Sequence, residues 1–151
     1  MSIYLDNAAT TPLCPEAKDA MIAALELYGN PSSTHSEGRK AKALVERVRK
    51  DIAAALNCLP AEVIFTSGGT EADNWALQSS VDVLGATKLY HSELEHHAVT
   101  HMVEALAQHI EAVAIPFDAY GDHDLDWLEV QLAADRQAGR KPLVSLMHAN
   151  N

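Results

Sequence analysis

The strongest constraint on this chain is an alternation of two hydrophobic periods. Short apolar runs at residues 63–66, 87–90, 112–115 and 143–147 are each too brief for a stable helix, and turn residues bound them. Between them lie helical stripes: one from Glu71 onward, one through Ala98, Val99, Met102, Val103 and Leu106, and one through Leu125, Leu128 and Leu132. Strands that alternate with helices in this way predict an α/β fold, a mainly parallel sheet flanked by helices. Ahead of that alternation the sequence is more helical. Pro15 suits a first helical turn, Ala17, Met21, Ala24, Leu25 and Tyr28 keep a helical period, and Gly29 follows as a stop. Thr34 and Glu37 have capping-box spacing ahead of the stripe Leu44, Val45, Val48, Ile52, Ala55 and Leu56.

Composition narrows the partners. Of 151 residues, 48% are apolar and 21% charged, the balance of an ordinary folded domain rather than a disordered tail. A formal net charge of −10 argues against nucleic acid or an anionic membrane surface, since both demand a basic face. No apolar run approaches the ~20 residues that cross a bilayer. Two cysteines, Cys14 and Cys58, imply no disulfide framework, and with no charged-then-apolar leader the expected location is cytoplasmic.

Three constellations could carry chemistry. In Phe65-Thr66-Ser67-Gly68-Gly69-Thr70-Glu71 an apolar run enters two glycines and a hydroxyl residue before a helix. Glycines admit close backbone approach, and free N–H groups at a helix start favour phosphate; a tight capped turn would use the same residues. The stretch is neither a Walker loop nor a dinucleotide fingerprint. His91, His96, His97 and His101 cluster where a strand gives way to a helix. They lack the His-Glu-x-x-His pattern and any nearby cysteine, so no metal is expected; solvated, capping and catalytic or cofactor-facing roles all stay open. The polar end Ser145-Leu146-Met147-His148-Ala149-Asn150-Asn151 closes a predicted strand, where ligands of open sheets collect, and Asn-Asn is equally ordinary turn material. Asp122, Asp124 and Asp126 read as a solvated helix start rather than a calcium loop.

Taken in order, these residues resemble the cysteine desulfurases, pyridoxal 5'-phosphate enzymes of the class V aminotransferase group. The motifs are Tyr4-Leu5-Asp6-Asn7-Ala8-Ala9-Thr10-Thr11-Pro12, then Gly29-Asn30-Pro31-Ser32-Ser33 with His35 and Gly38. Phe65 to Glu71 with Asn74, then Glu95-His96, and finally Met147 to Asn151 complete the set. The resemblance implies the large domain of fold type I, its sheet incomplete here, with residues 15–151 in that domain and 1–14 joining a small domain. Gly69 and Thr70 would bind the cofactor phosphate. His96 would stack over the pyridine ring and take part in proton transfers, and Asn151 would hydrogen-bond the phenolic oxygen.

The implied reaction converts L-cysteine to L-alanine and leaves a persulfide sulfur on an enzyme cysteine. It would take place in a homodimer supplying an iron–sulfur scaffold or another sulfur-acceptor protein. None of Lys18, Lys40, Lys42, Lys50, Lys88 and Lys141 follows a histidine, as the cofactor-bearing lysine of such enzymes does. Neither Cys14 nor Cys58 matches the sulfur-accepting cysteine. The chain is therefore expected to be the N-terminal portion of a desulfurase, not competent alone. A selenocysteine lyase of the same class and a non-catalytic assembly module are the alternatives.

Overall fold

The computed structural model describes residues 3–148. The chain divides into two compact units, residues 1–65 and 66–151. In the first, helix α1 (Pro15–Leu25) carries proline in its opening turn, and α2 (Ser36–Leu56) follows. The cap of α2 falls one residue later than the Thr34 spacing suggests. His35 is the capping residue, and its Nδ1 accepts from Gly38 N–H at 3.3 Å. Glycine is required at two points of the intervening loop. Gly29 has φ +148°, and a Cβ on Gly38 would lie 2.6 Å from the carbonyl oxygens of both Asn30 and Ser33.

A short 3₁₀ turn, Pro60–Glu62, leads to residues 63–66. The strand expected there is absent: no described segment pairs with it as a strand, and Ile64 and Phe65 are exposed. A β-strand exists only by pairing. Here the Val63 carbonyl accepts instead from the Arg49 guanidinium, which also stands 4.8 Å from the Phe65 ring centroid.

The second unit is the α/β layer. Helix α3 (Gly69–Asp82) leads into β1 (Lys88–His91), then α4 (His97–Leu106), β2 (Glu111–Ala114), α5 (Leu125–Gln137) and β3 (Pro142–Ser145). The three strands are parallel in the order β2-β1-β3, with His91 level with Ala114 on one side and Ser145 on the other. All three lie within two residues of the predicted runs. Alternation along β1 divides the core. Leu89 packs with Leu77 of α3 and with Val99, Val103 and Leu106 of α4. Tyr90 packs with Ile115 and Leu128, beside Trp127 of α5, on the opposite face.

A buried polar group ties the second face together. The Tyr90 hydroxyl donates to Asp135 Oδ2 at 2.6 Å, Arg140 Nε lies 2.7 Å from Asp135 Oδ1, and Lys88 Nζ pairs with Glu111 Oε1 at 3.0 Å. The Tyr90 hydroxyl holds the Asp135 carboxyl below its ordinary value of 3.8 against the opposing effect of burial, with help from the Lys88 and Arg140 charges. A depressed native carboxyl favours the folded state above its ordinary value, and that contribution disappears as pH falls through the native value. Tyr90→Phe lets the native value rise, so acid unfolding followed by circular dichroism should move to higher pH than in the wild type. An unchanged midpoint would remove this bond from the stability of the sheet.

Candidate functional site at the carboxyl end of the sheet

Helices α3 and α4 lie on the same face of β1 and connect to it through residues 83–87 and 92–96. Short connections on both sides of one strand make both helices run against it. Their N-termini, Gly69–Thr70 and His96–His97, therefore collect at the carboxyl end of β1. The connection leaving β1 goes to this face, whereas the one leaving β2 goes to α5 on the other. Adjacent strands whose outgoing connections diverge leave a crevice between them, where ligands of open α/β sheets bind. A cavity of about 750 Å³ opens there, with Leu94, Gly121, His123, Leu146 and His148 in its wall.

At the start of α3, Gly68 occupies the cap position with no side-chain cap bond. The first intrahelical bond runs from Ala72 N–H to the Gly68 carbonyl at 3.1 Å. The Gly69 and Thr70 N–H groups have no acceptor among the described residues, and both residues are exposed. Glu71 bonds to neither of them. Its Oε2 accepts from both Ser67 N–H and Ser67 Oγ at 2.6 Å, and these bonds, the hydroxyl's first, lower its carboxyl below the ordinary range. Neither glycine is demanded by the fold. Gly68 has extended backbone at φ 171°, and no described atom lies within 4 Å of a Cβ built on Gly68 or Gly69. The pair leaves bare backbone open to a ligand.

His96 is the cap of α4, its Nδ1 accepting from Ala98 N–H at 3.1 Å. With Nδ1 an acceptor, the neutral ring carries its proton on Nε2, and the residue is exposed. His97 and His101 stack on the helix side, ring centroids 5.7 Å apart. Among the described residues no three His, Cys, Asp or Glu side chains group as a metal would need. Asp124 caps α5 by accepting from Trp127 N–H at 2.8 Å. No helix among the described residues is long and apolar enough to cross a membrane. Asn151 lies outside the described residues. The sequence pattern did not single out Ser92 or His123, and it offered Ser145 only as part of the polar end; Ser92 Oγ lies 2.7 Å from His123 Nε2 and Ser145 Oγ donates to Glu95 Oε1 at 3.1 Å. Only the folded topology brings such distant residues together.

Comparison with known proteins places this geometry in a family. Residues 3–151 match the family described as Aminotransferase class-V, and the chain belongs to it. The chain is 43% identical over 156 aligned residues to the cysteine desulfurase IscS of Dictyoglomus turgidum, covering 99% of this chain and 38% of the relative. It thus spans well under half of that relative's length. Among solved structures, a protein titled NIFS-LIKE PROTEIN superposes with a TM-score of 0.82 at 24% identity, over 99% of this chain and 50% of the other, which shows the fold. A structure titled SspA in complex with cysteine gives 0.62 at 27% identity, over 72% of this chain and 33% of that one.

The open glycine pair makes a sharp expectation. Gly69→Ala should leave thermal stability unchanged or raise it by up to about 1 kcal/mol, from helix propensity. The same variant should weaken inorganic phosphate binding, measured by calorimetry. Loss of stability with unchanged phosphate binding would assign the glycine to the fold instead.

Proposed function

We propose that this chain carries the phosphate-binding and ring-stacking part of a pyridoxal 5'-phosphate site in a cysteine desulfurase. The observation that carries the reading is the pair of unbonded N–H groups at Gly69 and Thr70, on backbone that the fold leaves bare. The residues present fit the cofactor. A doubly charged phosphate suits a helix start with free donors. The Thr70 hydroxyl is exposed and can add a further donor. Asn74, one turn further along α3, holds a buried side-chain oxygen that no described group satisfies.

The chain's own groups then have separable tasks. Gly69 and Thr70 anchor the phosphate. His96 presents a flat imidazole, fixed at Nδ1 by its helix, for stacking on a pyridine ring, and its Nε2 is placed to hold or pass a proton. Asn151 would hydrogen-bond the ring's phenolic oxygen. When bound, the cofactor supplies an electron sink for chemistry at the substrate's α-carbon, and the protein supplies orientation. The substrate is L-cysteine and the products are L-alanine and a protein-bound persulfide sulfur passed to iron–sulfur cluster assembly. The desulfurase relative and the cysteine-bound neighbour support this substrate. The remaining catalytic groups, a cofactor-linking lysine and a sulfur-accepting cysteine, are not supplied by this chain, which is not competent alone. The working enzyme is a cytoplasmic homodimer. Residues 15–151 belong to the cofactor-binding large domain, and 1–14 join the small one.

Free pyridoxal 5'-phosphate is achiral, so dichroism in its visible band reports binding in an asymmetric site. Titration of the chain should induce such a band. His96→Ala should reduce its amplitude while inorganic phosphate still competes for the site. A full-strength band in His96→Ala would withdraw the stacking role.

A further inference from the structure

We propose that His123 is a positioning residue for His96, acting through the hydroxyl of Ser92; the idea rests on the reading of His96 as the ring-stacking imidazole. Ser92 directly follows β1 and is fully buried. Its Oγ accepts from Leu94 N–H at 2.9 Å, closing a serine turn at the head of the connection that ends on His96. That leaves the hydroxyl proton to be placed. Among the described residues the sole acceptor in reach is His123 Nε2, at 2.7 Å. A buried hydroxyl proton without an acceptor is costly, so Ser92 donates and neutral His123 carries its own proton on Nδ1.

The arrangement links two connections that leave the sheet to opposite faces. His123 belongs to the β2–α5 connection, which is itself stiff. Asp118 Oδ1 accepts from Tyr120 N–H at 2.8 Å and Asp122 N–H at 3.0 Å, and residues 117 and 123 form an antiparallel bridge. The same turn is held from β3, because Ser92 N–H donates to the Ser145 carbonyl at 3.2 Å and Ser145 Oγ to Glu95. Clamped on both sides, the 92–96 turn has one path to α4, and His96 enters its capping position in a fixed orientation. Without the His123 acceptor the Ser92 hydroxyl is free to turn, the Leu94 bond loosens, and the His96 ring samples several directions.

The test uses the chain itself, with pyridoxamine 5'-phosphate as probe because it needs no lysine. His123→Leu and Ser92→Ala should each weaken its affinity about tenfold, the loss expected for one hydrogen bond's worth of positioning. Affinity for inorganic phosphate should stay unchanged. His123→Gln, which restores an acceptor at the Nε2 position, should recover most of the affinity. Independently of any ligand, the imidazole ¹⁵N signals of His96 should shift toward an averaged tautomer in His123→Leu and Ser92→Ala, and return in His123→Gln. Wild-type affinity together with unmoved His96 signals in His123→Leu would overturn the positioning role. His96→Ala separates the two levels. If it binds the probe as the wild type does, the stacking role of His96 itself falls; if it is weak while His123→Leu is not, only the present inference falls.

Discussion

The site depends on one constraint: β1 is paired in parallel on both sides. Parallel pairing forbids hairpins, so each connection must cross back through a helix. The helices on either side of β1 in sequence then run against it and deliver their N-termini to its carboxyl end. Two helix starts, one with unbonded N–H groups and one capped by an imidazole, lie at that end as a consequence of topology. Helix starts are where donors are left over, so a strand order of β2-β1-β3 already concentrates anion-binding capacity at one edge.

The division of the core serves the same end. Leu89 and Tyr90, both fully buried, face opposite layers. On one side the contacts are apolar and hold α3 and α4 together. On the other, the Tyr90–Asp135–Arg140 group fixes α5 against the sheet through hydrogen bonds whose geometry tolerates little sliding. Breaking one member would leave a buried charge or hydroxyl unpaired, which costs more than the bond itself contributes. The crevice between the diverging connections is therefore framed by two layers anchored in different ways.

Much of this was legible in the sequence because the deciding signals are local. The apolar runs near Tyr90, Val113 and Val144 marked the three strands, and Ser67-Gly68-Gly69-Thr70 marked the helix start that matters. What escaped was non-local. Residues 63–66 have strand composition, but strand formation requires a neighbour, and Arg49 occupies the Val63 carbonyl instead. The choice of His35 over Thr34 as cap was a one-residue matter that spacing alone does not decide. Ser92 and His123 carry no motif, and Ser145, though part of the polar end, gave no sign of its partner. Their partnerships span 31 and 50 residues and exist only once parallel register sets Ser145 beside His91.

In the proposed function one ligand engages the α3 start and His96 together. The most direct measurement is a ¹⁵N NMR titration of the chain with pyridoxamine 5'-phosphate. The Gly69 and Thr70 amides and the His96 imidazole should shift together, on a single saturation curve with one Kd. Shifts at the α3 amides with a silent His96, or two curves with different midpoints, would contradict it.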